Sequence, residues 1–402
     1  MRPFTKTIPF ADALAMVMRT AKPVARQERV ALAEAGGRVA AADVRAAADV
    51  PPFARAAMDG YAVIAADTTG ASSDSPRTLV CVGRVFAGQN ATGSIGPGCC
   101  IEIATGAPMP PGADAVLIVE ETSRDGDTIV VRGAVAAGQN IGRQGTDIAA
   151  GAAVVHRDDV LTPGRIGALA AAGLTHVDVF ARPSVAVVST GDELVAPGRP
   201  LAAGQIYEVN RYTIAAVVTR HGATARALAS SADDLDRLGA SLDAVLIDDV
   251  IVFSGGSSVG DRDLVRTLLD ERGTMLFHGI AVRPGKPTAF ATVNGTPVFG
   301  MPGNPTSCLS NAYMLLVPFV RALAHLPPWR PTQVTLPLAR RIASVADRHQ
   351  FYTVKIENGR AQPAFKGSGD ITSMADADGY IEIPIGTDAL EEGTSVVVTC
   401  FE

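Results

Sequence analysis

Short apolar runs alternate with amphipathic segments between residues 183 and 322. Runs such as 250–253 (VIVF) are rich in β-branched residues and are bounded by turn residues, which is typical of buried parallel strands. Helical periodicity separates these runs at 210–223, 235–244 and 309–326. Because strands and helices alternate, the pattern predicts a doubly wound parallel sheet.

The chain on either side of this region follows other patterns. Residues 9–20 have one apolar face and predict a helix, and Thr162 followed by Pro163 predicts the start of another. Strand-like segments separated by glycine and proline loops predict a β-rich domain over 50–145. After a proline-rich linker at 327–331, short alternating strands predict a small all-β domain.

Three of the predicted buried strands run into loops suited to an anion, at 255–261, 283–287 and 302–307. The first loop is glycine-rich and leads into a helix, where backbone N–H groups and the helix N-terminus favour phosphate. The second places Arg283 and Lys286 on a stiff, proline-rich segment. We therefore expect an anion site at the carboxyl ends of the parallel strands.

Carboxylates also follow the predicted strands, at Asp59, Asp147, Glu193, Asp233, Asp261 and Asp263. Their hard oxygens suit Mg²⁺, which usually bridges to substrate phosphates. Each has a structural alternative: Asp233 is a candidate N-cap for the helix at 235, and Asp263 falls in the first turn of the helix that follows it.

Composition narrows the class of protein. A chain of 402 residues with 47% hydrophobic and 19% charged residues is expected to be globular, with two to four domains. The net charge of −6 argues against a nonspecific nucleic-acid binder. Five cysteines without a C-x-x-C pair indicate reduced thiols in a cytoplasmic protein, and no apolar run reaches the length of a membrane span.

Familiar catalytic signatures are absent from the sequence. The glycine loop matches neither G-x-x-x-x-G-K-[ST] nor a dinucleotide fingerprint, and no Ser/His/Asp arrangement is indicated. The residues alone therefore predict a multidomain, Mg²⁺-dependent enzyme that acts on a phosphate-bearing ligand, with a second oxyanion as a further candidate ligand.

A set of motifs, each weak alone, resembles one family jointly and in order. These motifs are MDGYAV (58–63), TGAP (105–108), STGDEL (189–194), FSGGSSVGDRD (253–263), RPGKP (283–287) and GMPGNPTS (300–307). Together they resemble the molybdopterin molybdenumtransferases, the MoeA and gephyrin E-domain family. The resemblance implies an enzyme that inserts molybdate into adenylylated molybdopterin with Mg²⁺, giving molybdenum cofactor and AMP.

The resemblance also implies roles for individual residues. Catalytic residues would be Asp59, Thr105, Asp147, Glu193, Asp263 and Lys286. Substrate-binding residues would be Gly255, Gly256, Ser257, Ser258, Gly260, Pro302, Gly303, Asn304 and Pro305. Molybdate would be held by Arg283, Lys286, Ser307 and Arg348, and Mg²⁺ by Glu193, Asp233 and Asp263.

The implied architecture is an α/β multidomain chain. Residues 1–47 and 146–180 would form an elongated arm, 48–145 an inserted β-rich domain, 181–326 the α/β molybdopterin-binding domain and 327–402 a small β-barrel. The family resemblance implies a homodimer in which the inserted domain of one subunit meets the α/β domain of the other. A molybdopterin adenylyltransferase or an apo-molybdoenzyme would be a candidate protein partner.

Two other functions stay open at this point. A molybdopterin adenylyltransferase would need only the region 183–325, and a non-catalytic dimeric scaffold would need none of the acids. The stretch Ala54-Arg55-Ala56 departs from the polar residues usual in the family, and Arg283 stands where many members have lysine. The match to the family is loosest around Arg348.

Overall fold

The computed structural model describes residues 7–89, 93–228, 234–255 and 263–401. The chain folds as two compact units. The α/β unit contains the residues up to 28 and those from 180 onward, and the β-rich unit contains residues 29–179. All five cysteines are free thiols. No helix in the described ranges is both long and apolar enough to cross a membrane.

A six-stranded central sheet forms the middle of the α/β unit. Its spatial order is Thr224–Ala227, Ser184–Ser189, Val250–Ser254, Thr296–Met301, Ala289–Val293 and Thr274–His278. The first four strands are parallel, which confirms the predicted parallel core, and the last two run antiparallel. Strand Ala289–Val293 runs against its neighbours on both sides. The short turn at Asn294–Gly295 joins it to Thr296–Met301, and a tight hairpin can join only antiparallel strands.

Helices cover both faces of this sheet, as a doubly wound fold requires. They are Phe10–Thr20, Asn210–Arg220, Leu235–Val245, Leu264–Arg272, Pro305–Asn311 and Val317–Leu323. Val185 and Val187 pack in one core cluster, whereas Ala186 and Val188 pack in another, because alternate residues of a strand point to opposite faces.

The predicted long helix at 309–326 is interrupted. It begins earlier, at Pro305, and a π-helical turn at Ala312–Leu316 precedes its last segment. Pro318 lies in the first turn of that last segment. Because proline has no N–H and its ring clashes with the carbonyl four residues back, the wider π turn accommodates it without ending the helix.

The N-terminal helix Phe10–Thr20 is part of the α/β unit. Its buried face, at Ala13 and Val17, joins the core of the α/β unit beside Val317 and Val320. The apolar stripe that predicted the helix correctly is therefore buried against the α/β unit. The predicted domain boundaries stay predictions.

A second, mainly antiparallel sheet, here called the terminal sheet, completes the α/β unit. Its strands are Val282–Arg283, His349–Glu357, Gly379–Ile383, Ser395–Cys400, Gln333–Pro337 and Arg360–Pro363. Short pairs at Ile342–Ala343 with Ala389–Leu390 and at Leu194–Val195 with Ile206–Tyr207, and a helical turn at Thr372–Ala375, complete this unit. The prediction that the strand before the 283–287 loop belongs to the central sheet is wrong, because Val282 and Arg283 pair with His349 and Gln350.

The β-rich unit contains its own six-stranded sheet. The order is Ala115–Ile118, Gly60–Val63, Cys99–Ile103, Arg77–Val85, Thr128–Val131 and Thr122–Asp125. Smaller elements are Val44–Arg45 with Ala153–Val155, Arg55–Ala56 with Ile141–Gly142, and the helix Pro163–Ala171. The strands Gln27–Ala31 and His176–Phe180 each include residues of both units. The helix begins as predicted, with the Thr162 hydroxyl accepting from the Arg165 N–H at 3.4 Å.

Candidate functional site

A cleft of about 1130 Å³ lies in the α/β unit at the carboxyl ends of the parallel strands. Strands Ser184–Ser189, Val250–Ser254 and Thr296–Met301 end at its floor. The loop at 283–287 forms one wall, and the segment 365–369 lines it as well. This is where an open α/β sheet is expected to bind its ligand.

The cleft brings together most of the predicted site residues that the α/β unit contains. They are Glu193, Gly255, Arg283, Lys286, Pro302, Gly303, Asn304, Pro305, Ser307 and Arg348. Asp263 is not among the residues that line it. Asp233, Gly256, Ser257, Ser258 and Gly260 lie outside the described residues, as does Asp261.

Four cations line this cleft: Arg283, Lys286, Arg348 and Lys366. The Arg348 guanidinium is held by Asp347, with nitrogen–oxygen distances of 2.9 and 2.6 Å. Hydrogen bonding to Arg348 lowers the pKa of Asp347, and the Lys286 charge lowers it further. A net-negative protein thus concentrates positive charge where an oxyanion would bind.

The loop that presents Arg283 and Lys286 is held from behind by Asn311. The Asn311 side-chain amide donates to the Gly285 carbonyl at 2.9 Å and lies 2.6 Å from the Thr288 hydroxyl. Gly285 has a φ of +101°, and an added Cβ would lie 2.3 Å from the Asn311 amide nitrogen. Only glycine fits this position, so the loop is rigid and its charges are pre-positioned.

The acids of this unit differ in their surroundings. The carboxylate of Glu193 turns back over Gly191 within the loop that lines the cleft. Asp263 caps its helix by accepting from the Arg266 N–H at 2.9 Å, and its other oxygen lies 3.2 Å from Nε2 of His278. Within the described ranges, no group of three or more Asp, Glu, His or Cys residues is placed to hold a metal.

The helix that begins at Leu235 is capped by its immediate neighbour, Asp234. The Asp234 side chain accepts from the Arg237 N–H at 2.9 Å. The prediction that Asp233 is a candidate N-cap is therefore wrong by one position. The difference follows from geometry, because the cap must directly precede the first helical residue.

The β-rich unit holds the other predicted residues, Asp59, Thr105 and Asp147. Thr105 donates both its backbone N–H, at 2.7 Å, and its hydroxyl, at 2.9 Å, to Oδ1 of Asp59. These hydrogen bonds, the backbone one first, lower the pKa of Asp59 and keep it ionised. Asp147 lies next to the short pairing of Val50 with Ile148, where its N–H donates to the Val50 carbonyl at 3.0 Å.

Several residues that line the cleft lie outside the motifs recognised in the sequence. Glu208, Asn210, Lys366 and Ser368 all line the cleft. The Ser368 hydroxyl accepts from the Asn304 side chain at 2.9 Å, which ties this segment to the 302–307 loop. A signal was present, since K-G-S-G (366–369) combines a cation with glycines and a hydroxyl, as the predicted anion loops do.

Cys308 also lies beneath the cleft, but its environment excludes a role as a nucleophile. The thiol is fully buried and 3.6 Å from the Ser254 hydroxyl. Burial raises the pKa of Cys308 to about 12, so the reactive thiolate is not formed at neutral pH.

Three protein-family models together match most of the chain. The MoeA N-terminal region model, domains I and II, matches residues 8–173. The probable molybdopterin-binding domain model matches 186–322, and the MoeA C-terminal region model, domain IV, matches 335–401. A molybdopterin molybdenumtransferase 2 of Mycobacterium tuberculosis is 36% identical over 96% of this chain and 96% of its own length. The chain belongs to the molybdopterin molybdenumtransferase family.

Solved structures agree with this family assignment. A molybdopterin biosynthesis MoeA protein from Pyrococcus horikoshii is 39% identical, with a TM-score of 0.85 over 99% of this chain and 100% of that one. A molybdopterin molybdenumtransferase of Haemophilus influenzae is 31% identical over 93% of this chain and 94% of its own length. The family recognised from the motifs and the multidomain α/β fold are both confirmed.

Proposed function

We propose that this chain inserts molybdenum from molybdate into adenylylated molybdopterin and releases AMP, the final step of molybdenum cofactor biosynthesis. Family membership supports the transferase activity, since relatives such as those of Haemophilus influenzae and Bacillus subtilis are named molybdopterin molybdenumtransferases. The observation that carries the proposal furthest is the cleft in which Arg283, Lys286 and Arg348 face the ends of the parallel strands.

The cations explain how the oxyanion would be held. Molybdate is a tetrahedral dianion, and rigid guanidinium and ammonium groups match its charge and its oxygens. Arg283 and Lys286 would bind it from one loop, and Arg348 would bind it from the terminal sheet. Ser307 would add a hydroxyl. Catalysis would then depend mainly on positioning and on neutralising charge near the phosphoanhydride.

The phosphate-bearing substrate would occupy the adjoining part of the cleft. Gly255 begins the glycine loop there, and Pro302, Gly303, Asn304 and Pro305 form the next loop. Oxygen donors of Glu193 suit a magnesium ion, with Asp233 and Asp263 as the further proposed ligands. When bound, Mg²⁺ would neutralise phosphate charge. Asp59, held by Thr105, and Asp147 are proposed to act in the same reaction.

Assembly and location complete the proposal. The family resemblance supports a cytoplasmic homodimer, and a molybdopterin adenylyltransferase or an apo-molybdoenzyme remains the proposed protein partner. Light scattering of the purified chain is expected to give twice the mass of 41.4 kDa.

An AMP-release assay tests the activity directly. Purified protein given adenylylated molybdopterin is expected to release AMP and form cofactor only when molybdate and Mg²⁺ are both present. Lys286→Ala should weaken molybdate binding by about tenfold or more, because a charge-assisted contact to a dianion is lost. Lys355→Ala is the matched control, since Lys355 lies on the terminal sheet and pairs with Glu357 at 3.5 Å.

Two outcomes would count against the proposal. AMP release that is unchanged when molybdate is omitted would exclude a metal-inserting step. Pyrophosphate formed from ATP and molybdopterin, with no use of the adenylylated pterin, would identify an adenylyltransferase instead.

A further inference from the structure

Glu208 and Asn210 occupy the floor of the cleft without belonging to any motif recognised in the sequence. Glu208 directly follows the short strand Ile206–Tyr207, and Asn210 is the first residue of the helix Asn210–Arg220. Both side chains are nearly inaccessible, with Glu208 2% and Asn210 7% exposed. Buried polar side chains of this kind are retained only where they are hydrogen-bonded or functional, so their partners are informative.

Asn210 joins two loops of the cleft. Its side-chain amide nitrogen donates to the Ser254 hydroxyl at 2.8 Å and to the Gly303 carbonyl at 2.7 Å. Ser254 ends one parallel strand, and Gly303 follows the neighbouring one. An amide NH₂ has two hydrogens, so both are committed to these loops.

Glu208 reaches the third loop. Its Oε1 accepts from the Ser189 hydroxyl at 3.0 Å, and Ser189 ends the strand that leads to Glu193. The same oxygen accepts from the Arg211 N–H at 2.8 Å, and Oε2 lies 3.1 Å from the Arg211 guanidinium. The carboxylate is therefore anchored to the helix that also carries Asn210.

Polar atoms beside these contacts have no partner in the described part of the chain. They are the Thr190 hydroxyl and Oδ1 of Asn210. Oε2 of Glu208 makes no hydrogen bond there and has only its ion pair with Arg211. All three residues line the cleft. Since an unpaired buried polar atom is costly, this floor is not arranged for maximal stability alone.

We propose that Glu208 and Asn210 are positioning residues that fix the three strand-end loops of the cleft relative to one another. Asn210 sets the spacing between the start of the glycine loop and the 302–305 loop, and Glu208 sets the loop that carries Glu193. Ligands of one cleft must meet within a fraction of an ångström for reaction, so loop spacing governs turnover more than affinity. The part of this inference that concerns turnover rests on the proposed function, whereas the part that concerns loop order does not.

Hydrogen–deuterium exchange tests the loop order without any substrate. Asn210→Ala and Asn210→Asp should both speed exchange severalfold in peptides that cover 253–255 and 302–304. Glu208→Ala should do the same in peptides that cover 189–193. Asn210→Asp keeps the size of the side chain but cannot donate to the Gly303 carbonyl, so it separates hydrogen bonding from packing. Thr213→Ala is the control, because its hydroxyl bonds the Asn210 carbonyl at 3.1 Å on the same helix but does not line the cleft.

Turnover provides the second readout. The Asn210 variants should lower kcat by about 10- to 100-fold, as expected for a loss of positioning, with KM for molybdate within about threefold. Glu208→Gln keeps both acceptor contacts of Oε1 and should retain most activity, whereas Glu208→Ala should not.

Three results would overturn the inference. They are unchanged exchange in the named peptides, exchange that rises equally in the distant strand Ser395–Cys400, and kcat of Asn210→Ala within twofold of wild type. If wild-type protein shows no turnover, the proposed function fails, and the exchange comparison still decides whether these residues hold the loops.

Discussion

At the scale of single residues, the contacts indicate different tasks for residues to which the family resemblance gives the same catalytic role. Asp59 and Thr105 come from separate motifs, yet Thr105 gives two hydrogen bonds to one oxygen of Asp59. Thr105 is therefore suited to orient a carboxylate, whereas Asp59 is suited to act as one. Sequence motifs identify the residues of a site, and the hydrogen bonds show which of these residues orient the others.

Removal of the Thr105 hydroxyl tests this division. Thr105→Val keeps the backbone bond and the side-chain shape but loses one bond to the Asp59 carboxylate, so the pKa of Asp59 should rise. The acid limb of the pH–activity profile should then move to higher pH, and Thr105→Ser should restore it. Thr122→Val is the control, since its hydroxyl bonds only the Val119 carbonyl at 2.8 Å. An acid limb that does not move would contradict this role.

At the scale of elements, the apolar periodicity of the sequence predicted the helices and strands whose positions depend on local sequence. The strand at 250–254 and the helices at 210–220 and 235–245 were predicted within a few residues, because burial on one or both faces leaves a regular apolar pattern. The strand Val282–Arg283 was assigned to the wrong sheet, since an apolar run looks the same whichever sheet it joins. Asn210 was missed because its partners lie 44 and 93 residues away in the sequence.

Two glycines differ in whether the structure requires them. A side chain would clash at Gly255 but would fit at Gly167. Gly255 has a φ of +98°, and an added Cβ would lie 2.2 Å from the Thr190 carbonyl oxygen, so Gly255→Ala should destabilise the protein by roughly 2 kcal/mol or more. Gly167 lies within the helix Pro163–Ala171 with nothing within 4 Å, so Gly167→Ala should stabilise it by about 0.5–1 kcal/mol.

Thermal or urea unfolding measures both effects. Gly255→Ala should lower the free energy of unfolding and also weaken AMP binding, since it moves the start of the glycine loop. An equal stability change for the two variants would show that the clash at Gly255 is relieved at no cost.

At the scale of the whole molecule, one core extends through the central and terminal sheets. A single cluster contains Val185 and Val250 of the first and Phe351 and Tyr380 of the second. We therefore expect the α/β unit to unfold cooperatively, with both sheets lost together.

His221 makes this cooperative unfolding sensitive to pH. It is 4% exposed, lies beside Trp329, and neither ring nitrogen has a hydrogen-bond partner among the described residues. Burial, with the nearby Arg321 charge, lowers the pKa of His221 to about 4 from an ordinary 6.5. Between these values the unfolded state binds a proton that the folded state does not, so stability falls as pH drops from 6.5 toward 4, by about 2–3 kcal/mol.

Unfolding curves at several pH values check this effect. His221→Phe should flatten the dependence over this window. The exposed His176, changed to Phe, should leave it as it is in the wild type. If the stability of His221→Phe varies with pH in this window as much as that of the wild type, a neutral, buried His221 is excluded.

The loop at 283–287 is anchored at two different places. Arg283 belongs to a strand of the terminal sheet. Gly285, just before Lys286, accepts a hydrogen bond from Asn311, on a helix that packs against the central sheet. A small rotation of one sheet against the other would therefore change the distance between the two positive charges. Dianions of different radius demand different spacings of charge. Discrimination among them would then depend on packing remote from the ligand, such as the contact of Phe10 with Phe351, whose ring centroids are 5.0 Å apart.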